Sequence, residues 1–143
     1  MDDVFDLQRF VDAQDSGGTY AAALRELRAG RKTGHWMWFV FPQIAGLGRS
    51  ATAQAYAISS IEEAQAYLAH PVLGPRLVEA SRVVAGLAGV TAEDVFGGVD
   101  ALKLRSSMTL FAHAAPAEPV FTAVLERYFD GRPDPATVAL LDG

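Results

Sequence analysis

Asp100, Lys103 and Ser107 recur at i, i+3 and i+7 along a stretch whose apolar residues, Ala101, Leu104, Met108 and Phe111, repeat at three- and four-residue spacing. On a helix the three polar residues share one face, each a turn from the next. A carboxylate and a lysine one turn apart can hold an anion or shift each other's pKa, and a serine one turn further can donate to a phosphate. The plainer account is an i,i+3 ion pair beside an exposed hydroxyl, and spacing alone leaves both open.

A second candidate group opens at His35. The run His35-Trp36-Met37-Trp38-Phe39-Val40-Phe41-Pro42-Gln43 holds both tryptophans of the chain. Rings of this size anchor a core, yet Arg31, Lys32 and Thr33 precede the run and Gln43 ends it, so it can also form one wall of a pocket. His35 is then a general acid or base, or a donor to phosphate; the structural alternative is a capping histidine. Gly46-Leu47-Gly48-Arg49-Ser50 reads as a glycine loop entering a helix, where backbone amides and Arg49 could meet an anion, or as a plain turn. It is neither a P-loop nor a dinucleotide fingerprint. His70 precedes proline and reads as a helix cap, and His113 lies near a helix end. The three histidines show no metal-binding spacing and there is no cysteine, so no metal is expected. No nucleophile elbow and no paired-carboxylate signature is present.

The elements that must position these residues are helical. Phe5, Leu7, Phe10 and Val11 predict a helix over 3–14, and Ser16 or Thr19 caps a second over 20–29 that Gly30 closes. Thr33 is the expected cap of a short helix through the aromatic run, stopped by Pro42, with a strand at Phe39-Val40-Phe41 as the competing reading. Residues 44–48 form a loop. Ser50 caps a helix reaching Ile58, and Ser60-Ile61-Glu62-Glu63 is a capping box for a helix that stops at His70-Pro71. Leu73, Leu77, Val84 and Leu87 mark the next helix, and Thr91 to Asp94 a further acidic cap. Gly97-Gly98 is a break before a helix over 99–113. Two more follow over 116–129 and from Asp134-Pro135 onward. The expectation is an all-α, compact single domain over 1–143, of roughly seven to nine short helices in irregular, orthogonal packing rather than a four-helix bundle.

Composition bounds the function. The chain has 143 residues, half of them hydrophobic, and a net charge of −5, which argues against a nucleic-acid-binding face. Arg25, Arg28, Arg31 and Lys32 form a local basic cluster, read as a solvated helix end whose cations meet the dipole. The longest apolar run, Trp36 to Phe41, is too short for a membrane span. The acidic opening does not look like a secretory leader, so a cytoplasmic address is expected.

The segments HWMWFVFPQI, GLGRS, AQAYAI, HPVLGPRL and FGGVDALKLRSSMTLFA, with FDLQRFVDAQ and YAAALRELRAGRKTGHW before them, resemble one bacterial family, the domain of unknown function 1810. The resemblance spans almost the whole chain. It implies a compact, mainly helical single domain and no assigned activity. The calpastatin label sometimes given to such chains does not fit, because calpastatins are disordered and this chain is half hydrophobic. A fainter echo, in a Pro-Leu-rich helix start and a glycine turn, is to the NADAR group, helical proteins tied to NAD and ADP-ribose, whose characteristic motifs are not seen here.

Two functional readings follow. In the first, the protein binds or transforms a small phosphate-bearing ligand, nucleotide-like or ADP-ribose-like, in a pocket beside the aromatic run. Trp36, Trp38 and Tyr56 would form its wall, and Lys103, Arg49 and Arg76 would meet phosphate. Gln43, Ser50 and Ser107 would orient the ligand, while His35 and Asp100, with Lys103, would do any proton chemistry. The cofactor is unspecified. In the second, these residues are core and ion pairs, and the protein is a non-catalytic interaction or regulatory module with an exposed apolar patch. The two differ on whether the polar groups converge in one cleft.

Overall fold

The computed structural model describes residues 3–142. Along them run α1 (Gln8–Asp15), a 3-10 turn (Ser16–Gly18), α2 (Thr19–Arg28), α3 (Met37–Val40), α4 (Ala51–Ala55), α5 (Ile61–Ala69), α6 (Leu73–Ala85), α7 (Ala92–Ala114), α8 (Pro119–Phe129) and α9 (Pro135–Asp142). The protein is all-α. The extended contact among the described residues is a single parallel bridge, Ile44 to Ile58.

Local signals set most of the boundaries. Ser50 and Ser60 accept from the amides of Ala53 and Glu63, and Thr91 and Asp94 form a complete capping box. His70 Nδ1 accepts from the amides of Val72 and Leu73, capping α6 as its place before Pro71 suggested. At Gly97 the backbone leaves helical values (φ 78, ψ 168), so α7 bends between a short first segment and a long second one. The glycine break is therefore real, although helix continues on both sides of it.

Several boundaries differ from expectation. The first helix starts at Gln8, because Asp6 takes a left-handed conformation (φ 52) and Asp3 caps the new start through Leu7 N and Gln8 N. Thr33 does not cap α3; the chain enters that helix through Trp36 with no side-chain cap. The helix after Ser50 ends at Ala55, since Ile58 is taken by the bridge. At α5 the box is half made: Glu63 bonds Ser59 N and Oγ instead of reaching back to Ser60.

The core is a connected set of rings. Phe10 meets Tyr67 edge-on at 5.1 Å, Tyr67 meets Phe111 at 5.4 Å, and Phe111 meets Phe121 at 5.8 Å. The one-turn helix α3 sits against this core, with Trp36, Met37, Val40 and Phe41 all buried. Its own four residues are too few to be stable alone, so burial must hold it. The helical reading of the aromatic run prevails over the strand. Two long-range clamps fix its surroundings. Gln14, itself buried, donates to Phe39 O at 2.7 Å and accepts from Arg76 at 3.2 Å. Arg9 donates to the carbonyls of Phe5, Asp6, Ala55 and Ala57 and to Glu63, tying α1 to α4 and α5.

Candidate functional site

The aromatic run divides by face. Trp36 and Phe41 point into the core, while Trp38, Phe39 and Gln43 remain half-buried and reach the surface. The loop before α3 is held by one carboxylate. Glu26 Oε1 accepts from Thr33 N at 2.7 Å, Gly34 N at 2.8 Å and Trp36 Nε1 at 3.0 Å. Partial burial pushes the Glu26 pKa up, but the donors on Gly34, Thr33 and Trp36 outweigh it and hold the carboxyl below its ordinary range.

That loop delivers Lys32 to α7. Lys32 N donates to Val95 O at 2.7 Å, and its Nζ donates to Gly34 O at 2.6 Å and meets Asp100 Oδ2 at 2.8 Å. Its side chain is only 8% exposed, and Nζ lies 5.0 Å from the Trp36 ring centroid. The expectation of a solvated lysine is thus overturned, whereas Arg25, Arg28 and Arg31 are exposed as foreseen. Asp100 stands in the first turn after the Gly97 bend, where a carboxylate meets the positive end of the helix dipole. Its other oxygen, Oδ1, meets Lys103 Nζ at 3.5 Å. One carboxylate therefore serves two lysines, and the cluster has formal charge +1.

Lys103 is the looser partner. It is one-quarter exposed, and its Nζ lies 5.1 Å from the Trp38 ring centroid. The same indole lines a slot with Gln43, Ile44, Gly48, Ala53 and Tyr56. The slot's walls are held by the Ile44–Ile58 bridge, through Ile58 N to Gln43 O and Ala45 N to Ile58 O, both 2.8 Å. Gly48 permits the loop's approach to α4, because a Cβ there would lie 2.5 Å from Ala53 Cβ. The slot measures about 10 Å³, room for one water-sized group rather than for a nucleotide. Two larger hollows, of about 310 and 360 Å³, are lined by none of the candidate binding or catalytic residues named from sequence.

The fold thus joins Trp36, Trp38, Asp100 and Lys103, and sets Gln43 and Tyr56 beside Trp38. His35 is exposed and follows Gly34, whose carbonyl Lys32 holds, so its backbone begins beside the Asp100 cluster. Arg49 and Ser50 sit exposed at the start of α4, the serine engaged as a cap. Arg76 belongs to a second cluster, paired with Asp15 at 2.9 Å and lying over the Tyr20 ring at 4.9 Å. In that cluster Tyr20 OH donates to Glu79 at 2.7 Å; burial and that partner raise its pKa. Ser107 is not an exposed hydroxyl: it is fully buried, and its Oγ finds no hydrogen-bond partner among the described residues. No group of three metal-ligating side chains occurs among the described residues. Lys32 and Glu26 are the residues that sequence reasoning missed. Their partners lie on other elements, and the one available signal was the density of polar residues just before His35.

The arrangement defines a helical domain built round a buried one-turn helix, with a paired-lysine cluster at that helix's surface edge. Residues 4–141 match the family described as Protein of unknown function (DUF1810), and the chain belongs to it. The chain is similar to the conserved hypothetical protein Rv1873 from Mycobacterium tuberculosis, whose crystal structure shares 56% identity. That match covers 99% of each chain with a TM-score of 0.96. No curated protein matches this chain.

Proposed function

We propose that the protein binds a small phosphate-bearing ligand on the face where Lys103 overlies Trp38. The observation that carries the reading is the charge arithmetic of the cluster: two lysines share the one Asp100 carboxylate, and Lys103 holds it at only 3.5 Å while a quarter exposed. Lys32, shorter in its contact and nearly buried, neutralises Asp100. Lys103 is then left to meet a phosphate at little desolvation cost. The small slot means that the ligand lies across the surface rather than inside a closed cavity.

In this reading Asp100 acts as a counter-ion, because each of its oxygens is engaged by a lysine. His35, exposed in the loop that carries Lys32, would be the general acid or base if a reaction occurs there. Arg76, committed to Asp15 and Gln14, takes no part. A cytoplasmic protein acting on soluble metabolites fits this reading; among the described residues no helix is long and apolar enough to cross a membrane.

The test is a thermal-shift screen of wild type and Lys103→Ala against NAD, ADP-ribose, nucleotides and sugar phosphates. A ligand at a hundredfold its Kd stabilises by about 2.7 kcal/mol, several degrees for a domain of this size. A compound that lifts wild type and not Lys103→Ala supports the reading. No shift with any compound counts against it.

A second reading is favoured by one observation. Val99 and Leu102, on α7 beside Asp100 and Lys103, are 71% and 64% exposed. An interaction module would use such apolar residues, with the lysine cluster as its polar edge.

A further inference from the structure

The hollow of about 360 Å³ lies where four helix ends meet: α5 and α7 finish beside it, and α6 and α8 begin there. Leu68, Gly74, Pro75, Val78, Ala115 and Phe121 line it, and none of them has a polar side chain. Pro75 also lacks a backbone N–H. The volume falls within the roughly 300–1,000 Å³ of small-ligand sites, and mainly apolar walls are what such sites share. The crossing of α5 and α6 sets the shape, because Gly74 lets the start of α6 press on the Leu68 carbonyl where no Cβ could fit. The hollow shares no residue with the Lys103 face.

Its charge is set by one residue. Helix ends of both signs meet at the hollow, and their dipoles largely cancel. The amide ends are closed as well: His70 takes the amides of Val72, Leu73 and Gly74, and Glu118 takes that of Val120. Little is left there to hold an anion. Glu118 is the one charged residue in the lining. Its Oε2 accepts from Val120 N at 3.1 Å, which fixes the carboxylate at the first turn of α8, the turn that brings Phe121 to the wall. Among the described residues no lysine, arginine or histidine pairs with Glu118, and no donor meets its other oxygen. A half-buried carboxylate without a cation of its own, set beside apolar walls, is complementary to an apolar chain that ends in a cation.

We propose that this hollow binds a primary alkylammonium, with its carbon chain against Leu68, Pro75 and Val78 and its head on Glu118. Burial of the chain supplies the attraction, and the carboxylate selects the sign of the head. The site is separate from the anion-binding face and does not depend on it.

The test titrates the ¹⁵N-labelled full chain with hexylammonium, hexanol and hexanoate, which share one chain length and carry cationic, neutral and anionic heads. Hexylammonium is expected to move the amide signals of Gly74, Val78, Ala115 and Phe121. It should bind at least about threefold more tightly than hexanol, with hexanoate weakest. Glu118→Gln keeps an oxygen to cap α8 and should bring hexylammonium down to the level of hexanol. Val78→Phe fills the hollow from its wall and should weaken all three probes while leaving Glu118 in place. Equal affinity for the three heads, or a preference for hexylammonium that survives Glu118→Gln, overturns the assignment. So does binding of none of them at millimolar concentration, or shifts confined to other parts of the chain. Broadening of the same four signals with rising protein concentration and no probe would mean that a second copy occupies the hollow, which also overturns it.

Discussion

Lys32 and Asp100 meet at 2.8 Å, joining the loop after α2 to the first turn beyond the bend in α7. The lysine is nearly buried, and its cation is shared among the carboxylate, the Gly34 carbonyl and the Trp36 ring. The same carboxylate holds Lys103 at longer range. One lysine is thereby tied into the fold and the other is held more loosely.

Lys32→Met should therefore destabilise and Lys103→Met should not. Removing Lys32 leaves a half-buried carboxylate with one distant partner, a cost of about 2–3 kcal/mol. Lys103, a quarter exposed and 3.5 Å from the carboxylate, is the looser partner, and its loss should change stability by under about 1 kcal/mol. Urea unfolding of the two variants measures both.

Glu26 predicts an acid-side loss of stability. Its folded pKa is depressed, so its contribution is complete above the ordinary glutamate value of about 4.3 and disappears as pH falls through the lower, folded value. Wild type should be more stable than Glu26→Gln near pH 6, and the gap should close towards pH 3. Thermal melts of both proteins across that interval supply the measurement; a gap that widens on acidification would contradict the assignment.

Gly74 is required by the α5–α6 crossing. A Cβ there would sit 2.0 Å from the Leu68 carbonyl oxygen, a backbone atom that cannot swing away. Gly74→Ala should cost about 3 kcal/mol or more. At Gly98 a Cβ meets nothing within 4 Å, and Gly98→Ala should be neutral or stabilise by about 0.5 kcal/mol. Melting temperatures of the pair separate the two expectations.

Ser106 and Ser107 are neighbours with opposite predicted effects. Ser106 Oγ bonds Leu102 O and the Asp134 carboxylate that caps α9, so Ser106→Ala should cost about 1–2 kcal/mol. Ser107 Oγ is buried and has no partner among the described residues; Ser107→Ala should be neutral or stabilise by up to about 1 kcal/mol. Denaturant midpoints of the two alanine variants check this. A large loss at Ser107 would mean that an ordered water completes its bonding.

The local signals in the chain are enough to foresee the helices, because caps and breakers act within a few residues. Ser50, Ser60 and Thr91 cap as their neighbours dictate, His70 does so ahead of Pro71, and Gly97 bends α7. Two expectations missed because a contact further along the chain had won: Ile58 left its helix for a bridge to Ile44, and the Thr33 amide is held by Glu26 rather than the residue capping α3. The late start of α1 and the half-made box at α5 were local, set by Asp3 and Ser59. The candidate site was half legible. Asp100, Lys103 and the tryptophans follow from spacing and composition. Nothing near Lys32 in the chain marks it as buried, and nothing near Arg76 marks it as belonging to another cluster. By itself the sequence determined which segments become helices and which faces carry polar groups, because those preferences are set by neighbouring residues. Only the tertiary structure decided which lysine is neutralised and which polar groups share a cavity. Charge pairing and desolvation depend on distance in space, and α2, α3 and α7 meet through packing that no local pattern encodes.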